Sequence, residues 1–170
     1  GTTLLNLDSE AEGELYVGCA GGVDTTAKFP YTPVEVEEGD VAIKVSLTGC
    51  KGGHSGCDIH LQRANANKLL FRFLKEAVAN YEARLACVEG GSLRNAIPRE
   101  ASAIITVPAE GVDDIMDLVA ECEDLFVAEY DGVEDNIHFT AEQVDCPATE
   151  LPEDVQDFLI HAITACPHGV

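Results

Sequence analysis

Residues 41–81 read VAIKVSLTGCKGGHSGCDIHLQRANANKLLFRFLKEAVANY, and this stretch decides the fold. At its start Ile43, Val45 and Leu47 alternate with Lys44, Ser46 and Thr48. Side chains on a strand point to opposite faces in turn, so the pattern predicts a strand with one face buried. The glycine-rich run Gly49 to Gly56 breaks it. Beyond the break, Ala66, Leu69, Leu70, Phe73, Leu74, Ala77, Val78 and Tyr81 recur at steps of three and four. That spacing is one apolar stripe on a helix, with Asn65 as its expected N-cap.

The same two periods continue downstream. Leu85–Val88 reads as a strand closed by Gly90 and Gly91, and Ala101–Val107 as another, with Ala101, Ala103, Ile105 and Val107 on one side. Val112, Ile115, Met116, Val119, Cys122 and Phe126 form a second helical stripe. Asp113 and Asp114 in its first turn suit the positive end of the helix dipole. Ile137, Phe139 and Ala141 alternate as a fourth strand, and Pro152 is placed to open a last helix through Ile163. The order is βαββαβ, which predicts an α/β (α+β) protein of ferredoxin-like type, an antiparallel sheet with two helices on one face.

Working outward, Leu4–Asp8 and Glu14–Ala20 are short strand candidates. Pro30, Pro33 and Gly39 break the chain after them. The expected organisation is a strand stub over 1–27, a linker over 28–40, the ferredoxin-like unit over 41–145, and a helical segment over 146–170. The chain begins at Gly1 and not at Met, and the expectation is a piece of a longer protein.

A net charge of −21, spread along the chain, opposes binding to phosphate backbones and anionic membranes, both of which need Lys/Arg surfaces. No apolar run approaches the ~18 residues that a membrane span requires. The seven cysteines, at 19, 50, 57, 87, 122, 146 and 166, are odd in number and include no C-x-x-C pair. Reduced thiols in a cytoplasmic protein are therefore expected.

Three places carry residue types suited to chemistry. Asp8 ends an apolar run, where a carboxylate can ligate a divalent metal or simply start a turn. Lys51-Gly52-Gly53-His54-Ser55-Gly56 holds a histidine between glycines, and such a histidine can donate a hydrogen bond to a developing oxyanion. This loop fits neither nucleotide-binding glycine pattern. A rival use is His54-x-x-Cys57-x-x-His60 as half of a structural zinc site, with Cys166 and His168 as the other half, although the spacing is not the usual one. Third, Gly91-Ser92-Leu93-Arg94-Asn95-Ala96-Ile97-Pro98-Arg99-Glu100 joins two strands. Asn95 offers donor and acceptors to a peptide group, Arg94 and Arg99 could pair with a carboxylate, and the plain alternative is a hairpin loop. His138 and His161 read as structural or solvated.

Three stretches together, LLNLDSEAEGELYVGCAGG, LTGCKGGHSGCDIHLQRANANKLLFRFL and GGSLRNAIPREA, resemble the aminoacyl-histidine dipeptidase (cytosol non-specific dipeptidase) family of two-zinc exopeptidases. The resemblance implies a catalytic domain with an inserted lid, two zinc ions and a dipeptide substrate. It implies that Asp8 is a zinc ligand, that a protonated His54 from the lid steadies the tetrahedral intermediate, and that Asn95 contacts the substrate backbone. It transfers no role to Arg94, Arg99, Glu10, Glu12 or Glu14. The family's remaining ligands and general base have no counterpart here, so the isolated chain is expected to be inactive. A non-catalytic ferredoxin-like module for binding or dimerisation is the competing expectation, and a homodimer is compatible with both.

Overall fold

A computed structural model describes residues 1–5, 7, 11–18 and 21–169. The chain divides into two units, Gly1–Pro30 and Tyr31–Val170.

In the first unit no described residue lies in a strand. A turn at Glu12–Gly13 and a hydrogen bond from the Tyr16 hydroxyl to Glu14 Oε2, at 2.8 Å, are its local features. Leu4, Leu5, Leu7, Leu15 and Val17 are between 83% and 94% exposed. The expected strands at 4–8 and 14–20 are thus absent from the described positions. A strand needs a neighbour for its N–H and C=O groups and a cover for its apolar face, and among the described residues these positions have neither.

The described residues of the second unit form eight strands and three α-helices. Strand β1 is Val34–Glu35, β2 is Asp40–Thr48 and β3 is Gly53–His54. Helix α1, Ala66–Asn80, leads to β4, Arg84–Gly90, then β5, Ala96–Ile97, and β6, Ala101–Pro108. Helix α2 is Val112–Glu129, β7 is His138–Val144, β8 is Thr149–Glu150 and α3 is Glu153–Ala165.

The main sheet is antiparallel, in the order β4-β6-β2-β7. With α1 and α2 it makes the expected βαββαβ arrangement. The residues of β2 and β6 that the alternation put inside, Ile43, Val45 and Leu47 with Ala101, Ala103, Ile105 and Val107, are buried, and so are Ala42 and Thr106 on the opposite face. They pack with Leu69, Leu70, Phe73 and Leu74 of α1 and Ile115, Val119 and Phe126 of α2. Phe139 of β7 meets Phe73 edge-on, with centroids 5.0 Å apart, and lies 6.0 Å from Phe126. One ring therefore joins both helices to the sheet. Asn65 caps α1 as expected, its side chain accepting from Lys68 N at 3.3 Å.

Three features depart from the sequence pattern. The register slips between Leu85 and Cys87, so Leu85 opposes Ile105 while Cys87 opposes Ile104. Ala86 is the extra residue, and Val88 rather than Cys87 packs on the core. The expected linker contains β1, which pairs with β8. The expected terminal segment also folds back on the unit. Leu151 N donates to Leu85 O at 2.9 Å, Gln156 Oε1 accepts from Leu85 N at 2.6 Å, and Leu151 and Ile160 join the core. Residues 151–156 thereby close the outer edge of β4, whereas β7 ends the sheet on its other side. Pro152 is the N-cap of α3, one position before the helix.

Lys68 ties α3 to α1. Its Nζ donates to the carbonyls of Ile163, Thr164 and Cys166 at 2.9, 2.8 and 2.6 Å, replacing the hydrogen bonds that a helix end lacks. Lys68→Met should lower unfolding stability by roughly 1.5 kcal/mol, the lower end for hydrogen bonds to a charged group because the site is half-buried. Denaturant titration measures this. A midpoint equal to the parent's would show that α3 docks without the lysine.

Candidate functional site

The site grows from the loop that leaves β2. At Gly49 φ is +81° and a Cβ would lie 1.7 Å from the Asn136 carbonyl oxygen, so only glycine fits. Lys51 to Ala64 then form a projecting loop. Near its start, Gly53 and His54 pair with Ile97 and Ala96 as the small ladder β3–β5. Ser55 N donates to Asn95 O at 2.9 Å. His54 and Asn95, from loops far apart in sequence, therefore stand beside each other at one end of this ladder.

His54 is exposed, but its setting is defined. Its backbone N donates to Asp58 Oδ2 at 2.8 Å, and its carbonyl accepts from Asp58 N at 2.9 Å. Ring atom Nδ1 accepts from the backbone N–H groups of Gly56 and Cys57 at 3.0 and 3.1 Å. An acceptor Nδ1 carries no proton, so the ring's proton is assigned to Nε2. Nε2 has no hydrogen-bond partner among the described residues. With Nδ1 engaged as an acceptor, Nε2 is the ring nitrogen left to donate. Arg63 braces the turn, with Nη1 donating to Gly52 O at 2.7 Å and lying 3.7 Å from Asp58. The Asn95 side chain is exposed, and its amide has no hydrogen-bond partner among the described residues.

Arg99 serves the backbone. Its Nε donates to Cys50 O at 3.4 Å, and its own carbonyl accepts from Cys50 N at 3.3 Å. Burial, helped by the negative charge of Glu134, pushes the Cys50 thiol up to about 11, so it stays a neutral SH at the root of the loop. A cavity of about 870 Å³ opens between Lys44 and Ser46 of the sheet and Leu93, Pro98 and Arg99 of the second loop. Neither His54 nor Asn95 is among its walls, so it adjoins the site without containing it.

Asp8 lies outside the described residues. Among the described residues, no group of three or more His, Cys, Asp or Glu side chains could hold a metal ion. The alternative zinc site is therefore not assembled. His54 Nδ1 is engaged within its own turn, and His168 Nδ1 lies 3.1 Å from Asn65 Nδ2. His138 contacts Glu123 and Asn136 at 3.3 and 3.2 Å, a structural role on the sheet edge. The residue that sequence reasoning missed is Glu134, buried and bonded to the loop's two ends. No spacing signals it, because its partners are 83 and 70 residues away. Asp58, four residues after His54, could have been found as a local cap of the turn.

A ferredoxin-like sheet bearing a histidine loop on one side is the class this geometry defines. The family described as "Peptidase dimerisation domain" matches residues 45–134, just over half of the chain, and the chain belongs to that family. It is 42% identical over 167 residues, 98% of its own length, to cytosol non-specific dipeptidase of Escherichia coli (strain K12), covering 34% of that protein. The crystal structure of aminoacylhistidine dipeptidase from Vibrio alginolyticus matches with a TM-score of 0.81 and 41% identity, over 84% of this chain and 29% of that one. The chain thus spans about a third of the length of these relatives.

Proposed function

We propose that this chain is the lid-bearing part of a metal-dependent cytoplasmic dipeptidase acting on Xaa-His and other dipeptides. The observation that supports this reading is the ladder β3–β5, which brings the backbone at His54 and Ser55 alongside that at Asn95 and Ala96. In this proposal His54 donates from Nε2 to the substrate carbonyl oxygen as it gains negative charge. Asn95 reads the dipeptide backbone with its free amide. The described residues do not form a zinc centre. Asp8 is proposed as this chain's one ligand, and the other ligands and the general base would belong to the rest of a longer protein. The 170 residues alone are expected to be inactive.

The proposed partner is a second copy of the chain. The family description supports it, and so does the outer edge of β7, a strand at the end of the sheet with no neighbour among the described residues.

The test uses the longer protein. It should hydrolyse dipeptides, lose activity to a chelator, and sediment as a dimer. Asp8→Ala should hold less zinc than the parent by elemental analysis. Undiminished zinc would remove Asp8 from the ligand set, and absence of dipeptide hydrolysis in the parent would leave the non-catalytic dimerisation module as the better account.

A further inference from the structure

His54 rides on a loop whose ends are both held by one carboxylate. Glu134, in the turn between α2 and β7, is 8% exposed. Its Oε2 accepts from Lys51 N at 2.7 Å, and its Oε1 accepts from Ala64 N at 2.9 Å. The same turn also holds the Lys51 side chain, whose Nζ donates to Val133 O at 2.5 Å and pairs with Asp135 at 2.7 Å. By contrast, Asp58 and Arg63 brace the loop only internally.

We propose that Glu134 is a positioning residue: by clamping Lys51 and Ala64 it fixes the span of the loop and hence the place of His54 Nε2. The proposal rests on the reading of His54 as the oxyanion donor. A carboxylate is rigid and planar, so two backbone N–H groups bonded to its two oxygens are held at a set separation. Burying it is favourable only while both oxygens keep their donors. A donor displaced by ~1 Å loses much of its effect on a transition state, a loss on the order of 100-fold. Glutamine at 134 would keep one acceptor and turn an NH2 group toward the other backbone N–H, opening one end of the clamp.

In the longer protein, Glu134→Ala should lower kcat for dipeptide hydrolysis by about 10- to 100-fold, with KM changed less than about threefold. Glu134→Gln should fall between it and the parent. In a His54→Ala background, Glu134→Ala should cost less than about twofold more, because both changes remove one contribution. The same relative loss in both backgrounds would overturn the proposal, as would parent-like kcat for Glu134→Ala beside an impaired His54→Ala. If His54→Ala itself is unimpaired, the reading of His54 fails and amide exchange judges the clamp separately. In the parent, the Lys51 and Ala64 amides should exchange slowly, and Glu134→Gln should speed at least one by about tenfold while the β2 amides stay unchanged. Unprotected exchange of either amide in the parent overturns the clamp even if no variant folds.

Discussion

His54→Ala in the longer protein should lower kcat for dipeptide hydrolysis by about 100- to 1000-fold, the usual cost of losing one oxyanion donor. The expectation follows from how the ring is held. Two backbone N–H groups occupy Nδ1 and leave Nε2–H as the outward donor. The ring is exposed and contributes little to the core, so the melting temperature should stay close to the parent's. Loosening of the turn is a separate effect, and His54→Asn distinguishes it. An asparagine oxygen can accept the Gly56 and Cys57 N–H groups in place of Nδ1, yet its shorter side chain does not reach as far as Nε2. Asparagine should therefore keep the turn and still lose activity. A kcat within about threefold of the parent in either variant would take His54 out of the reaction.

Phe139→Ala should destabilise the chain by about 3–5 kcal/mol, in the range for truncating a buried aromatic ring. Phe139 is 2% exposed and is the ring through which Phe73 of α1 and Phe126 of α2 both meet β7. Removing it leaves a void bounded by two helices and a sheet, which cannot all close on it at once. Domains of this size are stable by only about 5–15 kcal/mol, so thermal and denaturant midpoints should both drop visibly. Leu93→Ala is the control, since Leu93 is 65% exposed and should change stability by less than about 0.5 kcal/mol. A cost below about 1 kcal/mol for Phe139→Ala would mean that the two helices do not pack on this ring.

The two measurements bear on different links of one chain of cause. Phe139 keeps the helices on the sheet, the sheet carries the loops, and the loops bring His54 to Asn95. Arg72 adds to the first link: its guanidinium bonds Glu129 at 2.6 and 2.8 Å and lies 5.2 Å from the Phe126 ring centroid. The pairing holds the Glu129 carboxyl below its usual range, so the stability it gives is present at neutral pH and is lost on acidification through that lowered value. Both partners are substantially exposed, which keeps the contribution small.

Legibility followed the range of each interaction. The stripe from Ala66 to Tyr81 and the alternation from Val41 to Thr48 are local patterns, and both elements stand where the patterns placed them. His54 and Asn95 were legible as residue types in exposed loops, and the resemblance to the dipeptidase family was carried by the same stretches. Neither pattern could show that these two residues share the end of one ladder, since that pairing depends on how two loops distant in sequence meet. The slip at Ala86 was hidden because four successive small or apolar residues alternate equally well in two registers.

By itself, then, the sequence determined the three helices, the four strands of the main sheet, most of their buried faces, and which side chains could do chemistry, because period and residue type are properties of a few neighbouring positions. Tertiary structure alone decided the rest. It paired β1 with β8 within a supposed linker, left His54 and Cys57 outside any metal-holding group among the described residues, and chose Glu134 from 31 acidic residues to bond both ends of the His54 loop. Those outcomes depend on where distant segments of chain come to rest against each other, and a buried carboxylate becomes a clamp only when two backbone donors from elsewhere arrive to meet it.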